Sequence, residues 1–251
     1  MSITKDVLTC TMEFALPYHC YPIGDQAITL ELGHTINEEI NDRVMSLFYW
    51  LKDEQIPGIK DIIPAYASIS LIYDAQIIRK ISPKTSPYHF VRTILLSGLK
   101  HFDTPQIKHK RNISIPVCYD ETLGPDLASL ADEKQLNIQE IIQIHTAAIY
   151  RVYMIGFLPG FAYMGKVDER LMVNRKASPR NQVAAGSVGI AGAQTGIYPF
   201  ESPGGWQLIG QTPINLFNPS ASSPTYFEPG DLVQFVSIEL DEFYQLKNNP
   251  S

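Results

Sequence analysis

The sequence predicts an α+β chain in two parts: a helix-and-strand unit over residues 1–110 and a β-barrel or sandwich over residues 111–251. Three observations point there. Apolar residues in the first part recur at helical spacing in two stretches and alternate in others, while the second part is a series of short runs cut by Gly and Pro. Ten of the 16 glycines fall between Gly156 and Gly210, and four precede Lys110. The net charge is −1 over residues 1–110 and −5 over residues 111–251. The polar segment 101–111, interrupted by Pro105, is the expected join.

In the first part, residues 27–32 alternate as a strand and are broken by Gly33 and His34. Thr35 and Glu38 have the spacing of a capping box, in which each side chain satisfies a free backbone N–H at a helix start. Ile36, Ile40, Val44, Leu47 and Leu51 then share one helical face, and Pro57 and Gly58 follow. Residues 59–64 and 67–73 read as strands, with Ala67, Ile69, Leu71 and Tyr73 on one side. Residues 87–100 form a second helix facing inward through Val91, Ile94, Leu95 and Leu99. The order β-α-β-β-α suggests an α/β sandwich of ferredoxin-like type.

The second part opens with a strand in which Ile113, Ile115, Val117 and Tyr119 alternate. Short helices are expected at 126–133 and 138–145, the latter capped by the Asn137 carboxamide. A strand over 148–157 precedes shorter ones at 182–185, 187–190, 194–198, 206–209 and 232–237.

Composition excludes several functions. The chain has 251 residues, 45% apolar and 18% charged, which is ordinary globular usage. A net charge of −6 argues against a nucleic-acid partner. No apolar run approaches the roughly 20 residues that cross a bilayer, and residues 1–16, with Asp6 and Glu13, do not resemble a signal peptide. Cys10, Cys20 and Cys118 are scattered without a CxxC pair, as expected of reduced thiols in a cytoplasmic protein. The histidines at 19, 34, 89, 101, 109 and 145 lack HxH or HxxxH spacing, so no metal site is expected.

The chemistry is expected in the glycine-rich region. Arg175, Arg180, Gly186, Ser187, Gln194, Thr195, Tyr198, Glu201, Ser202 and Trp206 combine close backbone approach with groups that orient a small polar or anionic ligand. P-loop, GxGxxG and GxSxG patterns are all missing, and Ser187 reads as a turn residue rather than a nucleophile. His145 either favours a helix C-terminus as a cation or faces the pocket. Trp206 is either core or a stacking wall, and Glu201 either a surface residue or a general acid or base. Arg175, Lys176 and Arg180 are either a solvated cluster or anion donors. Phe157, Leu158, Phe161, Tyr163 and Trp206 divide evenly between a partner-facing surface and the barrel's own core.

Ile115-Pro-Val-Cys-Tyr119, Gly124-Pro-Asp-Leu127, His145, Tyr150-x-Val152, Gly156-Phe-Leu-Pro-Gly-Phe-Ala-Tyr163, Ala177-Ser-Pro-Arg180, Ala185-Gly-Ser-Val188, Gln194-Thr-Gly-Ile-Tyr198 and Glu201-Ser-Pro-Gly-Gly-Trp-Gln-Leu-Ile-Gly210 together resemble one family. It includes the sporulation-kinase inhibitor KipI and the PxpB component of bacterial ATP-dependent 5-oxoprolinase, and was formerly labelled allophanate hydrolase subunit 1. The specific part spans residues 113 to about 218, and the first part agrees only in layout. Asp120 and Ser178 depart from the family's usual glycine and threonine.

The resemblance implies a ferredoxin-like N-terminal domain and a cyclophilin-like barrel. It also implies a multi-subunit hydrolase that opens 5-oxo-L-proline to L-glutamate with ATP, Mg2+ being the usual counter-ion. The implied partners are a second cyclophilin-like subunit of KipA or PxpC type and a lactam-binding subunit of LamB/YcsF or PxpA type. The alternative is a KipI-like regulator whose partner is a sensor histidine kinase. From residue chemistry, Arg180, Glu201 and His145 are the candidate catalytic groups. Arg175, Gly186, Ser187, Gln194, Thr195, Tyr198, Ser202 and Trp206 are the candidate substrate or nucleotide contacts. A barrel fold does not by itself bring prolyl isomerase activity.

Overall fold

The computed structural model describes residues 17–101 and 111–249, with the side chain of His101 excluded. Cys10, His109, residues 1–16 and nearly all of the expected join lie outside the described residues. The chain divides into two compact units, Met1–Lys108 and His109–Ser251.

In the first unit β1 (His19–Ile23) and β2 (Ala27–Glu31) are followed by α1 (Glu38–Glu54), β3 (Ile59–Pro64), β4 (Ser68–Tyr73), α2 (Ala75–Ile81) and α3 (Pro87–His101). The strands form an antiparallel sheet in the order β1-β2-β4-β3. Thus β2-α1-β3-β4-α3 keeps the expected element order, and β1 closes the edge beside β2. Ile28, Leu30, Ile69 and Leu71 pack against Val44, Leu47 and Leu51 of α1 and Val91, Leu95 and Leu99 of α3. The start of α1 differs from expectation. Asn37 is extended and its carboxamide accepts the Ile40 N–H at 3.1 Å, so Asn37 is the cap and Thr35 lies outside the helix. The seven-residue α2, capped by Asp74 accepting from Gln76 and Ile77, is too short to establish a helical period in sequence.

The second unit runs β5 (Asn112–Cys118), α4 (Leu127–Lys134), α5 (Ile138–Ala147), β6 (Ile149–Ile155), β7 (Ala162–Gly165), β8 (Arg180–Val183), β9 (Ser187–Ala191), β10 (Gln194–Ile197), β11 (Ser202–Gly204), β12 (Gln207–Gln211), β13 (Leu232–Ile238) and α6 (Leu240–Asn248). Of the two all-β options the chain takes the barrel, closed in the order β10-β7-β6-β13-β5-β12-β9. β5 and β13 pair in parallel and the other neighbours antiparallel. α5 carries the expected cap as a full capping box between Asn137 and Glu140.

Because strand side chains alternate, the barrel has two apolar layers. Ile115, Val152, Met164, Ile190, Ile209 and Phe235 belong to the larger core. Phe161, Tyr198, Trp206 and Leu208 form a separate cluster, and Val183 of β8 joins it. The two-stranded β8–β11 ribbon therefore covers one side of the barrel wall. This layer decides most of the aromatic question: Phe161 and Trp206 are 1% and 5% exposed, Leu158 and Tyr163 pack against them, and Phe157 is 62% exposed. The expected partner-facing aromatic surface is thus reduced to Phe157, because its other members pack against the chain itself.

Phe161→Asp should consequently destabilise the isolated chain by at least about 3 kcal/mol, since it strands a carboxylate in an apolar layer. Urea unfolding of the lone protein measures this, and a wild-type midpoint would mean that Phe161 faces outward.

Candidate functional site

The second layer does not fill the space between ribbon and barrel. A cleft of about 360 Å³ remains, walled by Leu158, Phe161, Tyr163, Tyr198 and Trp206 and bordered by Phe157, Arg175, Pro179, Ser202, Pro203, Gly204 and Gly205. Gly204 is required by close approach: a Cβ there would stand 2.4 Å from the Tyr198 hydroxyl. Burial raises the pKa of Tyr163 and of Tyr198, while Arg175 opposes both shifts. Both hydroxyls therefore remain protonated near neutrality and can donate to a ligand.

Arg175 stands at the rim between this cleft and a second, of about 440 Å³, lined by Glu133, Asn174, Lys176, Ser178 and Gln207 among others. Its guanidinium lies 6.0 Å from the Trp206 ring, at the range of a cation–π contact. The other two cations of the segment are committed elsewhere. Lys176 Nζ and Arg180 Nη2 donate to Asp126 Oδ1 at 2.9 and 2.6 Å. Asp126 Oδ2 accepts the Leu208 backbone N–H at 2.7 Å, and the two backbones are further joined by Asp126 N–H to Leu208 O. Burial pushes the Asp126 pKa up, but Arg180, Lys176 and the Leu208 N–H outweigh it, so the carboxyl stays below its ordinary value and ionised.

The expected site residues divide accordingly. Arg175, Tyr198, Ser202 and Trp206 meet at the cleft. Arg180 is turned to Asp126. Glu201 is exposed, one residue from Ser202. Gly186, at φ +81, makes a tight turn in which a Cβ would meet Thr212 O at 2.3 Å. Ser187 is buried at the start of β9, where its carbonyl accepts the Tyr198 N–H. Gln194 begins β10 and pairs across to Gly165 and Ala191.

His145 and Thr195 lie in the barrel core. The Thr195 hydroxyl donates to Gly189 O at 3.0 Å and so accepts from His145 Nε2 at 3.1 Å. His145 Nδ1 is then the acceptor for the Tyr119 hydroxyl at 2.7 Å, while the ring stacks on Phe235. His145 has no exposed surface, and burial lowers its pKa to about 3. Neither a helix-end cation nor a pocket-facing base describes it: desolvation keeps the ring neutral and both nitrogens are engaged. Asp126 was expected only to begin a helix, and Leu158, Phe161 and Tyr163 to be partner surface or barrel core, so sequence reasoning did not place these four at the site. The Gly124-Pro-Asp motif was the available signal for Asp126, since a Cβ on Gly124 would stand 2.4 Å from Ile209 O. Among the described residues, no group of three or more His, Cys, Asp or Glu is placed to hold a metal ion.

Because the unfolded chain protonates His145 near pH 6.5 and the folded chain near 3, stability should fall as pH drops through that interval. Between pH 7 and 5 the expected loss is about 2 kcal/mol. His145→Gln, which preserves the acceptor and donor, should flatten that slope in urea unfolding series. An equal slope in both proteins would assign the acid sensitivity to other groups.

The chain matches the family described as carboxyltransferase domain, subdomain C and D, over residues 18–227. It is 40% identical over 232 residues to a Bacillus subtilis (strain 168) protein named as the B subunit of 5-oxoprolinase, covering 92% of this chain and 97% of that one. It is 36% identical over 219 residues to an Escherichia coli O157:H7 protein of the same name, covering 86% and 94%. A crystal structure of TTHA0988 superposes with a TM-score of 0.73 at 35% identity, covering 85% of this chain and 40% of that one. No helix among the described residues is long and apolar enough to cross a membrane.

Proposed function

This chain belongs to the carboxyltransferase-domain family of subdomains C and D, and on that premise we propose that it is the PxpB-type component of a 5-oxoprolinase complex. The observation that carries the reading is the match to the Bacillus subtilis 5-oxoprolinase protein over nearly the whole of both chains. In this reading the complex opens 5-oxo-L-proline to L-glutamate with ATP. Its other members are a second cyclophilin-like subunit of KipA or PxpC type and a third subunit of LamB/YcsF or PxpA type. The two units of this chain are taken as ferredoxin-like and cyclophilin-like variants. We place the complex in the cytoplasm, which suits the buried free thiols of Cys20 and Cys118.

The geometry supports a binding and orienting role. A lactam is an unreactive amide, and phosphorylating its carbonyl oxygen with ATP would provide a leaving group. One water would then add to the carbon bearing the phosphorylated oxygen and the ring C–N bond would break, the nitrogen leaving as the protonated amine and the carbonyl remaining as an acyl phosphate. A second water would hydrolyse that acyl phosphate to L-glutamate and phosphate. The cleft contains no activated nucleophile: its polar groups are the Tyr163 and Tyr198 phenols, the Ser202 hydroxyl and the Arg175 guanidinium. A triphosphate with Mg2+ calls for several cations and N–H donors. Asp126 already engages Lys176 and Arg180, so we assign the main grip on ATP to another subunit. Arg175, Tyr198, Ser202 and Trp206 remain our binding set. Arg180 becomes a structural residue, and neither His145 nor Glu201 is given a catalytic role.

The lone chain should turn over neither ATP nor 5-oxoproline. Reconstituted with its PxpA- and PxpC-type partners it should support ATP-dependent glutamate formation, which should stop when this chain is omitted. Robust turnover by the lone chain, or full turnover without it, would contradict the reading. Inhibition of a sensor histidine kinase with no effect on 5-oxoproline would favour the regulatory alternative.

A further inference from the structure

We infer that Arg175 is the carboxylate receptor of the aromatic cleft, which therefore takes a small flat ring bearing a single carboxylate. This rests on the proposed 5-oxoprolinase reading for the identity of the ring, but on geometry for the role of the arginine. Three cations lie within six positions, and Asp126 engages two of them. Arg175 makes no ion pair among the described residues, and its guanidinium faces the Trp206 ring at 6.0 Å. The backbone is fixed on either side of it: the Gln207 side-chain amide donates to Asn174 O at 3.2 Å, and the Lys176 N–H donates to Gly205 O at 2.8 Å. Arg175 is thus an unpaired guanidinium on an anchored segment at the mouth of an apolar cleft.

The ligand class follows from that chemistry. Leu158, Phe161 and Trp206 offer apolar and aromatic walls to a ring, and Tyr163, Tyr198 and Ser202 offer hydroxyls to its polar edge. A volume of about 360 Å³ lies toward the small end of ligand sites. One unpaired cation matches one negative charge, and the guanidinium fork matches the two oxygens of a carboxylate. Inorganic phosphate offers similar oxygens without the ring, so the test includes it.

The experiment is a calorimetric titration of the full chain, wild type and Arg175→Gln, with 5-oxoproline, with 2-pyrrolidinone (the same ring without its carboxylate), with cyclopentanecarboxylate and with inorganic phosphate. Wild type should bind the two ring carboxylates more tightly than 2-pyrrolidinone or phosphate. Arg175→Gln should weaken the ring carboxylates at least about tenfold and leave 2-pyrrolidinone unchanged. Arg175→Lys should restore only part of the loss, because an ammonium lacks the fork. The inference falls if wild type binds no ring carboxylate, if phosphate binds best, or if Arg175→Gln weakens all ligands alike or none. Cyclopentanecarboxylate binding through Arg175, in a chain whose complex ignores 5-oxoproline, would retain the receptor and reject the oxoprolinase reading. Normal turnover in a complex carrying Arg175→Gln, with an unchanged KM, would do the reverse.

Discussion

The second unit is organised around one buried carboxylate. Asp126 sits at the start of α4, faces β12 through two hydrogen bonds to Leu208, and receives Lys176 and Arg180 on its remaining oxygen. A carboxylate this buried would ordinarily take up a proton to escape its desolvation cost. Here two cations and a backbone N–H hold it ionised, and it in turn holds together a helix start, a barrel strand and the segment leading into β8. The cleft depends on this arrangement. Arg180 opens β8, β8 pairs with β11, and the β8–β11 ribbon encloses Tyr198 and Trp206 against the barrel wall. Engaging Lys176 and Arg180 also leaves Arg175 as the unpaired charge at the mouth.

The barrel separates two kinds of polar chemistry. Inside, Tyr119, His145, Thr195 and Gly189 form a closed chain of donors and acceptors in which each group has a partner. Such a network favours one packing of β10 and α5 and leaves neither ring nitrogen of His145 free for a substrate. Outside, under the ribbon, the hydroxyls of Tyr163 and Tyr198 line a cleft instead of a sealed core. The candidate site accordingly lies on the covered outer wall, where apolar surface and open space coincide.

Much of this was legible in the sequence because the signals are local. β3 matches its expected bounds, and α3, α5 and the later strands fall within a few residues of theirs. Arg175, Tyr198, Ser202 and Trp206 were expected in one pocket and meet in one cleft. What escaped notice depends on distant partners. Asp126 is 50 and 54 residues from the cations it binds, and His145 finds its acceptor 50 residues away on β10. No spacing rule reveals such pairs. β7 and β11 are four and three residues long, below the length at which alternation can be recognised. The continuous burial of β9 has a similar origin, since the ribbon covers the face that would otherwise meet water. The Thr35–Glu38 spacing suggests a cap two residues early, because a capping pattern read from spacing carries no backbone geometry, and the extended residue that caps α1 is Asn37.

The central claim is that Asp126 and Arg180 act as one energetic unit, and a double-mutant cycle measures it directly. Asp126→Asn, Arg180→Gln and the double variant would be unfolded in urea at pH 7 beside the wild type. Because the Asp126 side chain is buried and hydrogen-bonded to Arg180, the account predicts a coupling energy of about 1–3 kcal/mol, the two single losses exceeding what their independence would allow. Additive losses, with coupling within about 0.3 kcal/mol of zero, would mean that the pair does not hold the ribbon, and the account of the cleft would be contradicted.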